Sequence, residues 1–245
     1  MKDFEYKPID EEGLETLNVL SKANLFNEWM YKTIQPYCSK NNVLEIGSGV
    51  GNISEFFIKN KHTIFLSDLR ENYKEILLER FSHDKNIIDF QTIDLVDENF
   101  EIKYAHLLGK FETVFALNVI EHIKDDRLAI LNCKKLLKEK GKLIILVPAY
   151  QFLYNRFDEE LYHFRRYKKK GMVQLFKNND IKIINSFYFN ALGILGWYVS
   201  GKIFRNKTLP SSQVSFYNKI IPIAKLIDFL LLNKIGLSVV VVGEK

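Results

Sequence analysis

The chain has 245 residues, 47% of them hydrophobic and 27% charged, with a formal net charge of +5 from 35 Lys+Arg against 30 Asp+Glu. That length and balance fit one sizeable folded α/β domain with added elements and exclude a disordered or fibrous chain. The mild basic bias allows an anionic partner or a membrane surface, but it does not call for nucleic acid, and no nucleic-acid partner is expected.

The charged N-terminus MKDFEYKPIDEE has no apolar core, so no signal peptide is expected. Residues 1–41 read as two short helices, carried by Leu14, Leu17 and Leu20 and then by Leu25, Trp29 and Tyr31. From residue 42 strands and helices alternate. Strands are expected at 43–46, 63–67, 87–93, 113–117 and 142–147, and helices at 52–60, 71–81 and 125–138. Strands rich in Val, Ile and Phe, separated by helical patterns, predict a parallel sheet covered on both faces. After Pro148 comes an aromatic, Arg-rich loop with a short helix over 150–167, a helix over 168–178 and a strand over 180–189. Residues 191–235 are unusually apolar, and a last strand is read at 237–242. No apolar run reaches the roughly 18 residues of a membrane span. Cys38 and Cys133 lack metal-ligand spacing and fit small packing residues in a reducing compartment. A cytoplasmic protein is expected, free or at the membrane periphery.

The chemistry concentrates at the predicted carboxyl ends of the strands, where open α/β sheets bind ligands. Val43-Leu44-Glu45-Ile46 runs into Gly47-Ser48-Gly49-Val50-Gly51, and Asp68-Leu69 closes the next strand. Asp94-Leu95 and Asn118 close the third and fourth. Glycines let the backbone come close to a nucleoside, and a carboxylate on the second strand grips ribose hydroxyls. The spacing is G-x-G-x-G, tighter than the G-x-G-x-x-G that seats a pyrophosphate on a helix N-terminus, and it suits a cofactor without phosphate. Asp68 also fits a helix N-cap. Asp94 has a rival in Asp97, and Glu121-His122 fits a plain helix start.

On these residues the chain resembles class I S-adenosylmethionine-dependent methyltransferases. Glu45 to Gly51 resembles the first family motif, Asp68 the ribose-binding acid, Asp94-Leu95 the adenine-binding segment, and Ala116 to Ile123 the segment after strand four. Leu136 to Leu143 resembles the helix, turn and strand that follow. The resemblance implies a doubly wound, seven-stranded, mostly parallel sheet with its last strand antiparallel. N-terminal helices would precede it, and a helical apolar insertion would come before the last strand. It implies one methyltransferase domain over 1–245, with its cofactor core at 42–148 and a substrate-side loop, cap and last strands at 149–245. S-adenosylmethionine would be held by Glu45, Gly47, Ser48, Gly49, Gly51, Asp68, Leu69, Asp94, Leu95 and Asn118, leaving S-adenosylhomocysteine, with no metal expected.

His163-Phe164-Arg165-Arg166-Tyr167 is similar to the H-Y-R-R-Y segment of a bacterial subgroup, some members of which are associated with glycosyltransferases acting on lipid-linked sugars. That subgroup often has Gly before the His, where this chain has Tyr162. An acceptor site is expected from Tyr150, Tyr154, Asp158, Arg165, Arg166 and Tyr167, since the Arg fork suits phosphate or carboxylate. His163 is the leading base and His122 a weaker one. The bland reading of the segment is a solvated basic stretch running into Lys168-Lys169-Lys170.

The expected reaction moves a methyl group to an oxygen or nitrogen of a small molecule or sugar, lipid-linked sugars included. The rivals are a non-catalytic cofactor-binding partner protein and an NAD-dependent oxidoreductase. For 191–235 the choice lies between a cap on the core and a membrane-surface element, in which Trp197, Tyr198, Phe204 and Phe216 sit among Lys202, Arg205 and Lys207.

Overall fold

A computed structural model describes residues 11–204 and 210–245. Helices α1 (Glu11–Ser21) and α2 (Asn24–Ile34) precede β1 (Val43–Ile46), α3 (Ser54–Lys59), β2 (Ile64–Asp68), α4 (Glu71–Phe81), β3 (Ile87–Thr92) and the single turn α5 (Phe100–Lys103). β4 (Phe111–Leu117), α6 (Asp126–Leu136), β5 (Leu137–Pro148), α7 (Arg156–Glu160), α8 (Lys169–Lys177) and β6 (Lys182–Phe189) follow. The chain then runs through α9 (Ala191–Tyr198), a π-helical turn at Val199–Ile203, α10 (Ser211–Lys219), α11 (Ile221–Leu230) and β7 (Ser238–Glu244).

The seven strands form one sheet in the order β3-β2-β1-β4-β5-β7-β6. β1 to β5 pair in parallel, and β7 runs antiparallel to both β5 and β6. The expected doubly wound sheet is the observed one. Alternation along each strand sends successive side chains to opposite faces. Leu44, Val114, Ala116 and Ile145 pack under α6 and α8, beside Ile130, Cys133 and Phe176. Val43, Phe115, Ile144 and Val240 pack under α2, α3 and α11, beside Trp29, Phe57 and Ile221. Burial on both faces explains why these strands read as continuous apolar runs.

The chain order reverses between β1 and β4, so a crevice opens there above the carboxyl ends of the strands, the usual ligand position in such sheets. The helix expected over 125–138 stops two residues early. Leu137 already pairs with Phe111, and a bulge over 138–141 with Lys140 in the left-handed region carries the chain into the ladder. A Cβ at Gly141 would lie 2.8 Å from the Lys138 carbonyl oxygen. α5 carries no apolar period long enough to read from sequence.

Candidate active site

The glycine turn follows β1 directly. Gly47, Gly49 and Gly51 have φ of +73, +52 and +81, a region open to glycine at little cost. A Cβ at Gly47 would come within 2.4 Å of Val119 Cγ2, and one at Gly49 within 2.9 Å of Leu17 Cδ1. The loop is therefore pressed between the segment after β4 and the N-terminal helix, and Asn52 Nδ2 ties it to the Leu17 carbonyl at 3.0 Å.

Two buried carboxylates shape this loop. Asp68 Oδ2 accepts the Gly49 N–H at 2.9 Å, and Oδ1 accepts the Arg70 N–H at 3.1 Å. Burial raises its pKa, and those backbone donors oppose the rise. Glu45 lies one layer below, its Oε2 accepting from Ser54 Oγ. Burial pushes its pKa up to about 8, against the Ser54 and Ser48 hydroxyls, so it is mostly protonated near neutrality. The serines that hold it, Ser54 above all, carry no motif visible in sequence.

These groups open onto one cavity of about 1460 Å³. The wall on the sheet side includes Glu45, Gly47, Ser48, Gly49, Asp68 and Leu69, with Asp94, Leu95 and Asn118 beyond. Gly51 is not on the wall; it packs against Phe81 and Leu77 of α4 and shapes the turn from behind. Asp94 Oδ1 caps its own turn by accepting the Val96 N–H at 2.9 Å. Its rival Asp97 bonds Lys103 Nζ at 2.7 Å, away from the cavity. Asn118 is exposed there with φ of +55.

The far end is built from the loop after β5. Arg166 reaches inward: its side chain is 1% exposed, its Nε donates to Asp158 Oδ1 at 2.8 Å, and its guanidinium stacks over Trp197 at 4.6 Å. The same Asp158 oxygen accepts from His163 Nδ1 at 2.8 Å. A carboxylate only accepts, so Nδ1 carries a proton, and in the neutral ring Nε2 is the nitrogen with the lone pair. That nitrogen points to Glu121 Oε1, 4.0 Å away, and the His122 ring packs edge-on to His163 at 4.6 Å. Burial raises the Asp158 pKa, but the bonds from His163 and Arg166 outweigh it and hold the carboxyl below its ordinary value. Burial, aided by the Asp158 charge and opposed by His163 and Arg166, lifts Glu121 to about 7, and burial, with His163 and Arg70 nearby, lowers His122 well below the ordinary imidazole value. Glu121 is fully buried, and neither of its oxygens has a hydrogen-bond partner among the described residues. The sequence offered His122 as a weaker base and Glu121-His122 as a plain helix start, and gave Glu121 no role of its own; its placement just after Asn118, at a strand's carboxyl end, was the available signal.

Four expected acceptor residues are placed elsewhere. Arg165 turns outward to Asp126 Oδ2 at 2.7 Å and the Lys124 carbonyl at 2.8 Å. Tyr167 Oη donates to the same Asp126 oxygen at 2.9 Å. Tyr150 stacks on Tyr188 at 5.1 Å, and Tyr154 Oη is spent on the His163 carbonyl at 2.8 Å. None of the four lines the cavity. The reason is strand-like: Tyr167 bridges to Ala149 beside β5, so consecutive arginines face opposite sides and only Arg166 faces in. Asp158 is not on the wall either; it works through His163 and Arg166.

The roof comes from α1, α2, α9 and α10, through Leu17, Met30, Gly196, Trp197, Phe216 and Tyr217 among others. The apolar segment is thus a cap over the cavity. Asp228 of α11 fixes it, accepting the Asn190 and Ala191 N–H groups at 2.6 and 2.7 Å at the head of α9. Gly201 lets the π-turn press on Asn155, where a Cβ would lie 2.2 Å from Nδ2.

A mostly parallel sheet with a glycine-loop crevice, an acidic residue ending β2 and a helical roof is the Rossmann-like architecture that binds nucleoside cofactors. The chain belongs to the methyltransferase domain family, whose model matches residues 23–186. Fusarin C synthetase of Gibberella fujikuroi is 26% identical over 129 residues, 51% of this chain but 3% of that synthetase, so the chain spans a small part of this relative. The phosphoethanolamine N-methyltransferase 2 of Haemonchus contortus, solved with S-adenosyl-L-methionine, has a similar fold: TM-score 0.59, 18% identity, 90% of this chain and 52% of that one. A SAM-dependent methyltransferase from Archaeoglobus fulgidus gives TM-score 0.61 at 12% identity over 91% of this chain and 94% of its own.

Proposed function

We propose that this protein transfers the methyl group of S-adenosylmethionine to an oxygen or nitrogen of an amphipathic acceptor, a small molecule or a sugar carried on lipid. One observation supports this above the rest: the glycine loop, Asp68, Asp94 and the His163 end open onto the same roofed cavity. Gly47 and Gly49 let the loop backbone turn at the cavity wall, packed on Val119 and Leu17, and Asp68 and Asp94 stand at successive strand ends, where ribose and adenine would be held. When bound, S-adenosylmethionine supplies an electrophilic methyl carbon on a sulfonium. The protein's own work is alignment and exclusion of water by the α9–α10 roof. Asp158 and Arg166 set the His163 ring, so that Nε2 presents its lone pair to the acceptor's reacting group.

The second part of the reading concerns where the acceptor comes from. Away from the cavity the cap exposes Phe204, Leu226, Phe229 and Leu230 at 56–72%. Lys202, Lys219 and Lys234 surround them exposed, and Asp228, which is buried, is the single acid between 191 and 235. Apolar side chains ringed by Lys without exposed acid fit an anionic lipid surface. Arg205 and Lys207, expected to share in this, lie outside the described residues. Among the described residues no helix is long and apolar enough to cross a membrane. Transfer of labelled methyl from S-adenosylmethionine into a lipid extract, with flotation on anionic vesicles lost in a Leu226→Ser/Phe229→Ser variant, is the expected result. Transfer to neither lipid nor aqueous extracts overturns the enzymatic reading. Equal flotation of variant and wild type overturns the lipid one.

A further inference from the structure

The acceptor end of the cavity holds a group whose chemistry the methyltransfer reading does not use. Glu121 is fully buried, yet among the described residues neither of its carboxylate oxygens has a hydrogen-bond partner. Buried ionisable groups are ordinarily paired or coordinate a metal, because an unpaired one loses its hydration for nothing in return. His163 Nε2 is 4.0 Å from Oε1, too long for a hydrogen bond. One donor atom each from Glu121, His122 and His163 lies within 4.8 Å of the others.

We propose that Glu121, His122 and His163 bind a divalent first-row transition-metal ion at the acceptor end of the cavity. Three observations converge. The donor set is one carboxylate and two imidazoles, the set that binds zinc or ferrous ions with a coordination position left open. The outer contacts that orient such ligands are in place. His163 Nδ1 bonds Asp158 at 2.8 Å, a carboxylate–histidine arrangement that directs Nε2 to an ion, and the His122 ring packs edge-on to His163 at 4.6 Å. The charge balance also fits: Asp158 is already matched by Arg166 at 2.8 Å, which leaves the Glu121 charge for the ion. Bonds of about 2.0–2.2 Å would draw the donor atoms to roughly 3.5 Å apart, about an ångström of contraction.

Glu121, His122 and His163 all border the cavity, so an open coordination position there faces the acceptor. This role rests on the methyltransfer reading: His163 would serve as a ligand and not take a proton itself, while the ion would make an acceptor hydroxyl at its open position more acidic, the proton leaving to solvent and the oxygen then attacking the methyl carbon. The site itself rests on the donors alone.

The test uses the full chain stripped with chelator and then titrated calorimetrically with Zn²⁺, with metal retention after dialysis read by mass spectrometry and Co²⁺ loading read by its visible spectrum. The wild type should retain one equivalent of Zn²⁺ and give a Co²⁺ spectrum with nitrogen ligation. Glu121→Gln and His163→Gln should each weaken Zn²⁺ binding by more than about 100-fold, beyond the ~10–100-fold typical of losing an outer contact. Glu121→Gln keeps the shape and removes a buried charge, so it should fold. Equal Zn²⁺ retention in wild type and Glu121→Gln places the ion elsewhere and overturns the proposal, as does no retention by the wild type. S-adenosylhomocysteine titrated into the same samples separates the two readings. If Zn²⁺ binds through these residues and S-adenosylhomocysteine does not bind, methyl transfer falls and the metal site stands.

Discussion

The two walls of the cavity are held by opposite means. The cofactor wall is backbone-built: three glycines with positive φ, and Asp68 and Glu45 satisfied by backbone N–H groups and serine hydroxyls. The acceptor wall is side-chain-built: a buried His163–Asp158–Arg166 network on Trp197 below, and an apolar cap fixed by Asp228 above. A wall that grips one fixed nucleoside gains from backbone that cannot rearrange. A wall that admits a variable acceptor can trade that rigidity for adaptable apolar contact.

The sharpest way to break the comparison is Asp158→Ala. It strands the Arg166 guanidinium, 1% exposed, without its carboxylate, and should cost about 3–5 kcal/mol in urea unfolding. A cost below ~1 kcal/mol would mean that the acceptor wall is not held by this network. Gly47→Ala attacks the other wall. A positive φ of 73° and a Val119 contact at 2.4 Å should together cost about 2–4 kcal/mol and weaken S-adenosylhomocysteine binding measured by calorimetry. Asp68→Asn keeps the shape but gives up the charge. It should weaken S-adenosylhomocysteine binding by roughly 10–100-fold and cost about 1–3 kcal/mol of stability, since the Gly49 or Arg70 N–H then faces an amide NH2 and loses its acceptor. An unchanged affinity would remove Asp68 from the cofactor's sugar.

The last test is one of pH. Glu45 binds its proton more tightly folded than unfolded, with a folded pKa of about 8 against an ordinary 4.5. Stability from this group is complete below the lower value and declines as pH rises through the interval. Glu45→Gln should flatten that decline in melting temperatures of the cofactor-free protein taken from pH 5 to pH 8 (roughly the span of ordinary and shifted carboxyls). Asp158 runs the other way: its carboxyl is held below the ordinary value, so its contribution is complete near neutrality and lost only in acid.

Legibility follows the same divide. Val43 to Gly51, Asp68 and Asp94 could be read in one dimension because each role depends on a short local pattern: a strand's apolar run, a glycine's φ, a carboxylate just past a strand. Arg165 and Arg166 could not be told apart that way. They are chain neighbours of one type, and only the bridge of Tyr167 to Ala149 decides which of them is buried on Asp158. The 191–235 segment was undecided for a related reason: apolar content alone does not say which face meets a cavity and which meets solvent.

By itself the sequence determined the alternation of strands and helices and set the glycine loop, Asp68 and Asp94 at or just past strand ends, because periodicity and turn chemistry act over a few residues. Only the tertiary structure decided that Glu121, His122 and His163 meet, that Arg165 faces away, and that the apolar segment roofs the cavity. Those facts depend on contacts between elements far apart in the chain, whose geometry no local pattern encodes.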